Sequence, residues 1–363
     1  MPVLSREKLG RATGLEVPQT SGQSVSAKAT KTQRIPALDF TKGALVLIMV
    51  LYHWLNYFLG ASDNRYLRFL TPSFICITGF LISNIYLSRY RARDPQLPKR
   101  LMQRGLKILG VFAFLNLARV GIFPRTYGTQ MLSEHSSIKG LINIYLIGSN
   151  LGGGQEKAIA FFILVPIAYL LLLSALLLVV LKTYRYVFHV ACIFSFIAIV
   201  ALHFEGYESA NLELLAIGLA GVMLGYIPIE RINIYIDHPY LLVISYIGYL
   251  AAITIWNIIY PLQVAGVFLS LAIIYMLGNF RGEAGWVRGL LVLLGKYSLF
   301  GYIAQIAILQ LLRRALENVN WGPAVLGLSF VLAVTLTVVS VEVVDYLRSK
   351  SVNTDKLYKA VFA

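Results

Sequence analysis

Charged residues are scarce in this chain of 363 residues. Only 13% of the residues are Asp, Glu, Lys or Arg, whereas 58% are hydrophobic, and the mean hydropathy is +0.70. A soluble globular domain carries about 25% charged residues. The composition therefore excludes that class and predicts a protein that crosses the membrane several times.

Acidic residues are scarcer than basic ones, which leaves a formal net charge of +15. In a soluble protein such a charge would indicate nucleic-acid binding. Here most Lys and Arg residues lie between the apolar runs rather than within them. We therefore predict no nucleic-acid partner and expect these charges to flank a lipid bilayer.

Cysteine is nearly absent, and histidine is scattered. Cys76 and Cys192 both lie inside apolar runs, which argues against a disulfide framework and a cysteine-based metal site. The five histidines lack ligand spacing, so we predict no metal. Residues 1–35 are polar and lack the apolar core of a cleavable signal, so we expect a disordered cytoplasmic tail.

Long apolar runs are what the chain has in abundance. A membrane-spanning helix needs about 20 apolar residues, and ten segments approach that length. They are residues 38–59, 67–88, 105–123, 158–181, 187–204, 210–228, 239–260, 262–279, 290–312 and 322–346. The sequence therefore predicts an all-α polytopic membrane protein, built as a bundle of about ten transmembrane helices.

The basic residues also predict an orientation, because loops rich in Lys and Arg face the cytoplasm. With the N-terminus inside, most of them fall on the cytoplasmic side. An even number of spans then places both termini in the cytoplasm. We expect a transmembrane domain over 36–348 and a cytoplasmic tail over 349–363, in the cell membrane, which we expect to be a bacterial inner membrane. The segment 138–150 is too short to span and is expected to be interfacial or re-entrant.

A polar stripe interrupts the first apolar run, "LDFTKGALVLIMVLYHW". At 100° per residue, Lys42 and His53 lie about 20° apart around the helix axis, and Asp39 and Asn56 lie within about 60° of the same stripe. Lys42 and His53 are about 16 Å apart along the axis, which puts His53 near the bilayer midplane. Ionisable groups at that depth usually face a bundle interior or a cavity. Asp39 is about 21 Å from His53, so a catalytic partner of His53 must come from another helix.

The segment "RIPALDFTKGALVLIMVLYHWLNYF" resembles the first-helix signature of the transmembrane acyltransferase superfamily, which includes the acyltransferase-3 family and the heparan N-acetyltransferase-like proteins. In acyltransferase-3 proteins the signature is an Asp, then an Arg and usually a Gly, with a His eleven residues after the Arg. This chain has Asp39, Lys42, Gly43 and His53 at those spacings. Lys42 replaces the Arg and cannot bind an anion bidentately as Arg does.

Two later segments are similar to further elements of that superfamily. "LTPSFICITGFLIS" looks like the second helix, with Thr78, Gly79 and Phe80 in the matching element. "LLGKYSLFGYIAQIAIL" looks like the near-C-terminal helix, whose element matches at Gly295, Ser298, Leu299 and Tyr302. Gln305 stands where many relatives have a His, and it cannot titrate near neutral pH.

The resemblance implies an O- or N-acyltransferase that moves an acetyl- or succinyl-class group from cytosolic acyl-CoA to a hydroxyl or amine of a glycan or lipid-linked sugar. His53 would be the catalytic base or would carry the acyl group transiently. Lys42, with Asp39 beside it, and Arg104 and Lys107 would bind the donor, although Arg104 and Lys107 also fit charges that only set topology.

Other polar residues in the apolar runs are candidates for the acceptor groove. They are Asn56, Asn116, Arg119, Ser298, Tyr302 and Gln305. Arg119 also fits a side chain that extends to the outer boundary. A proton-coupled transporter, with His53 and Asp39 in a proton relay, is the competing interpretation. A non-catalytic membrane scaffold is the third.

Overall fold

The computed structural model describes residues 35–60, 65–87, 96–122, 137–148, 160–180, 186–236, 238–256, 259–280, 285–319 and 322–362. Within these ranges every regular element is helical. The polar segment predicted to be a disordered cytoplasmic tail lies outside them, except for Ile35.

The helices are numbered here in chain order. They are α1 (Pro36–Phe58), α2 (Leu70–Leu81), α3 (Gln96–Ile122), α4 (Ile138–Leu141), α5 (Leu164–Val180), α6 (Val187–Phe204), α7 (Ala210–Leu224), α8 (Ile229–Ile236), α9 (Pro239–Trp256), α10 (Tyr260–Asn279), α11 (Trp286–Lys296), α12 (Ser298–Ala315), α13 (Pro323–Lys350) and α14 (Val352–Phe362). Wider π-helical turns extend α2 over Ile82–Leu87 and α4 over Ile142–Ile147. A 3-10 turn, Arg65–Leu67, precedes α2.

Seven helical segments of the described chain are long and apolar enough to cross a membrane. They are Pro36–Phe58, Arg65–Leu87, Gln96–Ile122, Val187–Phe204, Pro239–Trp256, Tyr260–Asn279 and Pro323–Lys350. The bent pair α11 and α12 makes an eighth if it is one span. α5 and α7 are apolar but shorter, with 17 and 15 residues. The chain is therefore a helical protein of membrane type, and each of the ten predicted segments contains a helix.

The prediction of one continuous helix over 290–312 is wrong. α11 ends at Lys296, α12 begins at Ser298, and the two axes differ by 93°. Between them Tyr297 adopts φ −112° and ψ 25°, outside the helical region. Its ring is buried, and its hydroxyl donates to Asp345 Oδ1 of α13 at 2.6 Å. The apolar sequence pattern continues through the break and therefore gives no sign of it. The break is fixed by the contact between Tyr297 and Asp345, which are distant in the sequence.

α1 and α11 pack backbone to backbone, and two motif glycines allow it. A Cβ atom on Gly43 would lie 1.9 Å from the carbonyl oxygen of Leu291. A Cβ atom on Gly295 would lie 1.7 Å from the carbonyl oxygen of Asp39. Small residues at helix interfaces permit such close approach within membranes. The contact holds the start of α1 against the end of α11, where the bend begins.

The predicted tail over 349–363 forms a helix that folds back on the bundle. α14 is tied to the end of α13 by Asp355, whose Oδ1 accepts from Arg348 Nε at 2.9 Å. The Arg348 guanidinium also lies over the Tyr358 ring, 4.0 Å from its centroid. Lys107 of α3 donates to the Lys359 carbonyl oxygen at 3.4 Å. The end of the chain is thus part of the helical assembly.

Candidate functional site

A cavity of ≈ 180 Å³ lies where the three motif segments meet, and it is called here the cationic cavity. Its wall includes Lys42 of α1, Thr78 of α2 and Arg104 of α3. Ser298 and Tyr302 of α12 complete this part of the wall. Residues that are far apart in the sequence, and that were singled out separately, therefore line one space.

Three cations line this cavity, and two of them are held by carboxylates. Lys42 Nζ lies 2.6 Å from Asp39 Oδ1, one turn away on α1. Lys296 Nζ lies 2.6 Å from Asp345 Oδ1 of α13. Neither carboxylate belongs to the cavity wall, whereas Lys42, Lys296 and Arg104 do. The wall is therefore basic, and Asp39 contributes by holding Lys42 rather than by facing a ligand.

Arg104 is fixed by a neutral partner. Its guanidinium donates to the hydroxyl of Tyr86, in the turn that follows α2, and Tyr86 also lines the cationic cavity. A hydroxyl acceptor leaves the positive charge of Arg104 uncompensated at this contact. Arg104 is therefore oriented toward the cavity without being neutralised.

The bend before α12 directs a helix N-terminus at the cavity. Ser298 is the first residue of α12 and lines the wall. The preceding Tyr297 provides no side-chain cap for the first-turn amides. Uncapped N–H groups and the helix dipole give this end a partial positive charge. The break therefore adds to the basic character that Lys42, Arg104 and Lys296 supply.

His53 lies beyond the cavity, behind Tyr302. It is half-buried and does not line the wall, but its ring centroid is 6.4 Å from that of Tyr302, with the planes tilted by 52°. Tyr302 is buried and also contacts the rings of Phe74 and Phe161. Tyr302 is thus a residue of another helix that contacts His53 and also lines the basic wall.

Two amides lie one turn from this aromatic pair. Gln305 follows Tyr302 on α12 and is 0% exposed, and neither its Oε1 nor its Nε2 has a hydrogen-bond partner among the described residues. Asn56 follows His53 on α1, and its buried Oδ1 likewise has no partner there. Buried amides are normally hydrogen-bonded. These amides therefore keep unused hydrogen-bonding groups beside the aromatic pair, although neither lines the cationic cavity.

Asn116, Arg119 and Lys107 lie apart from the cavity wall. The Asn116 amide donates to the carbonyl oxygen of Ala160 and accepts from its N–H, both at 3.1 Å. That paired contact ties α3 to the segment before α5. Arg119 is buried, with 3% exposure, so its side chain does not extend into the surroundings of the bundle. Lys107 is exposed and contacts α14.

Sequence reasoning missed the contribution of α14. Tyr358 and Phe362 line the cationic cavity, and their rings lie 4.9 Å apart. Burial raises the pKa of Tyr358 to about 12. The sequence feature that could have predicted their contribution is the i, i+4 spacing of Tyr358 and Phe362, which puts two aromatic side chains on one face of a polar segment. The other missed wall residues include Tyr86.

No protein-family model, curated protein or solved structure matches the chain. Within the described residues, no group of three or more His, Cys, Asp or Glu side chains is placed to hold a metal ion. The site is therefore described by its own geometry: a basic cavity, an uncapped helix N-terminus and a His–Tyr pair beyond it.

Proposed function

We propose that this chain is an integral membrane acyltransferase. It moves an acetyl- or succinyl-class group from cytosolic acyl-CoA to a hydroxyl or amine of a glycan or lipid-linked sugar. The observation that carries the proposal is the convergence of Lys42, Ser298 and Tyr302 on one cavity, with His53 against Tyr302. The resemblance of the three motif segments to transmembrane acyltransferases points to the same chemistry.

The cationic cavity suits the acyl end of the donor. Its volume of ≈ 180 Å³ is below the roughly 300–1,000 Å³ of pockets that enclose a whole small ligand. We therefore assign the thioester to the cavity and the phosphates of CoA to the outside. The positive charges of Lys42 and Arg104 attract the negatively charged donor toward the cavity, and the first-turn amides of α12 stabilise the oxyanion that develops on the thioester carbonyl.

His53 acts on the acceptor in this proposal. Its neutral imidazole takes the proton from the acceptor O–H or N–H, and the oxygen or nitrogen attacks the thioester carbonyl carbon. The new ester or amide bond forms as the C–S bond breaks, and the departing CoA sulfur takes the acceptor's proton from the His53 imidazolium, which gives a thiol and restores the neutral imidazole. Tyr302 lines the donor cavity and contacts His53, so in this proposal the acyl group extends past the Tyr302 ring and its carbonyl carbon meets the acceptor beside His53. Gln305 and Asn56 bind acceptor hydroxyl groups.

The proposed topology has all ten apolar segments in the membrane and both termini in the cytoplasm of a bacterial cell. It counts the shorter α5 and α7 as spans and α11 with α12 as one bent span. The distribution of Lys and Arg between the segments supports this orientation. In this arrangement Lys42 and the cationic cavity lie toward the cytoplasmic side, where acyl-CoA is found.

The His53→Ala variant tests the assignment of the base. Full-length protein in detergent is incubated with radiolabelled acetyl-CoA or succinyl-CoA and a glycan and lipid fraction, and the incorporated label is counted. We expect at least a 100-fold loss, in line with removal of a general base. His203→Ala, at the exposed end of α6, is the matched control and should retain activity. Undiminished transfer by a folded His53→Ala variant would remove His53 from the mechanism.

A proton-coupled transporter is the second candidate, and the bend between α11 and α12 favours it. Broken helices whose ends face a central site are typical of secondary transporters. In that case His53 would relay protons and acyl-CoA would be unnecessary. A pH gradient that drives solute uptake into proteoliposomes without acyl-CoA, with uptake lost in His53→Ala, would favour this function over acyl transfer.

A further inference from the structure

A second cavity, of ≈ 280 Å³, adjoins the cationic cavity at Ile77, which lines both. Its wall is formed almost wholly by apolar side chains, and it is called here the apolar cavity. The wall hydroxyls are already paired within the protein. Thr41 Oγ1 donates to the Ala37 carbonyl oxygen at 2.8 Å, and the Tyr275 hydroxyl donates to Asn233 Oδ1 at 3.1 Å. The space therefore suits hydrocarbon and not a polar ligand.

The apolar cavity adjoins a wider and more polar one of ≈ 730 Å³, called here the head cavity. Leu224, Ile227 and Phe268 line both spaces. The head cavity also contains Arg231, together with His189, which is stacked on Tyr226. The site thus has an apolar end and an end with a positive charge.

Arg231 is exposed, and within the described chain its side chain has no ion pair or hydrogen bond. The rings of Tyr226 and His189 lie beside it, with centroids 5.5 Å apart and planes 20° apart. The stacked rings and the exposed Arg231 thus line the same cavity. An unneutralised guanidinium here favours an anionic group in the head cavity, and phosphate oxygens match its fork of donors.

The short helix α8 presents different side chains to the apolar cavity and to the head cavity. Ile229, Ile232 and Ile236 lie on one face of α8 and line the apolar cavity, whereas Arg231 lines the head cavity. An apolar face and a polar side that carries Glu230 and Arg231 are typical of short helices that lie in the headgroup region of a bilayer. On α10 the apolar wall runs from Tyr275 to Phe268, seven residues or about 10 Å of helix.

We propose that the apolar and head cavities form one binding site for an anionic phospholipid. A hydrocarbon chain fills the apolar cavity, and the phosphate binds Arg231 beside the His189–Tyr226 stack. A phospholipid fits because it presents a hydrocarbon chain joined to a phosphate at the boundary of the bilayer, which is the combination that the two cavities accept. The proposal is independent of acyl transfer, since Arg231 and α8 do not belong to the cationic cavity wall.

Lipid retention tests the site. The full-length protein is purified in detergent, and binding of phosphatidylglycerol is compared with that of phosphatidylcholine of the same acyl chains by native mass spectrometry. We expect tighter retention of phosphatidylglycerol and an increase in the thermal unfolding midpoint with that lipid only. Arg231→Gln should weaken phosphatidylglycerol binding about tenfold, the loss of one charged hydrogen-bonding partner. The effect on phosphatidylcholine should be smaller, because the choline cation offsets the charge of its phosphate.

A second variant tests the binding of the hydrocarbon chain, and a third is a control for the removal of a positive charge. Ala272→Phe places a ring in the apolar cavity, which Ala272 lines, and should reduce retention of both lipids. Lys356→Gln removes an exposed positive charge from α14 and is the matched control, with lipid binding unchanged. Equal retention of the two lipids, or phosphatidylglycerol binding that is unaffected by Arg231→Gln, would overturn the proposal. Equal stabilisation by inorganic phosphate alone would assign the site to a free anion, and normal retention by folded Ala272→Phe would overturn the tail assignment.

Discussion

At the residue scale, Lys42 carries the donor side of the proposed site. It is held by Asp39 at 2.6 Å and lines the same cavity as Arg104 and Lys296. Lysine contributes a point charge where the acyltransferase signature that this segment resembles has the bidentate fork of arginine. In the proposed mechanism, the neighbouring Arg104 therefore contributes to binding the anionic donor.

Replacement of Lys42 by alanine should raise the KM for acyl-CoA about tenfold, because one charged contact to the donor is lost. Lys42→Arg should not be worse than the natural residue. Lys107→Ala is the matched control, since Lys107 is exposed and outside the cavity wall. Initial rates of acyl transfer at varied acyl-CoA concentration give the measurement. An unchanged KM in Lys42→Ala would contradict the role of Lys42 in donor binding.

A substitution at Gln305 distinguishes a role in the stability of the fold from a role in acceptor binding. Its buried amide has no partner among the described residues, so its burial costs free energy that an apolar side chain would not. We expect Gln305→Leu to leave the thermal unfolding midpoint unchanged or raised while acyl transfer falls through a higher KM for the acceptor. A lower midpoint would show that the amide stabilises the fold, contrary to the role proposed here.

At the element scale, the contact between α1 and α11 positions the site. Gly43 and Gly295 bring the two backbones together, and the bend after α11 then sets Ser298 at the cavity. The motif glycines thus act through packing. Loss of this contact would displace Lys42 relative to α12.

Gly43→Ala should therefore destabilise the protein strongly, because the added Cβ atom would lie 1.9 Å from a backbone oxygen that cannot move alone. We expect a loss of about 3 kcal/mol or more, comparable with severe overpacking. Gly289→Ala on α11 is the control: its Cβ atom meets nothing within 4 Å, so stability should be kept or gained. Thermal unfolding followed by size-exclusion chromatography compares them, and equal midpoints would contradict the packing role.

The docking of α14 should depend on pH through Asp355. Hydrogen bonds from Lys359 and Arg348 hold the pKa of this carboxyl below its usual value. A lowered folded-state pKa stabilises the docked helix above the unfolded value of about 3.9, and this contribution is lost as pH falls through the folded pKa. Hydrogen exchange over 352–362 should thus be slow at pH 7 and should accelerate below about pH 4, relative to the intrinsic rate. Asp355→Asn should exchange faster already at pH 7, and identical protection in this variant would contradict the account.

At the scale of the whole molecule, the sequence predicted the helical membrane class and the helical segments well, because apolar content and length decide both. It also predicted that Lys42 and His53 share a helix face, since 3.6 residues per turn settle that within α1. Tyr302 opposite His53, Lys296 in the wall and the bend at Tyr297 all depend on contacts between distant helices. No local pattern encodes such contacts, and the structure was needed to find them.

The packing of the C-terminal segment could not be predicted from local sequence patterns either. The segment over 349–363 reads as a polar tail, yet Tyr358 and Phe362 lie in the cavity wall. Their docking depends on the Arg348–Asp355 pair and on the surface of α3. The sequence alone does not show that these parts of the chain lie close together. The predicted N-terminal tail lies outside the described residues.

The central claim is that acyl groups pass from cytosolic acyl-CoA through the cationic cavity to an acceptor near His53. The most direct measurement is label transfer from radiolabelled acyl-CoA in sealed membrane vesicles of the two orientations. We predict acceptor labelling when acyl-CoA is offered to the cytoplasmic face, little labelling from the other face, and none with His53→Ala. No transfer by the natural protein from either face, or equal transfer by His53→Ala, would contradict the account.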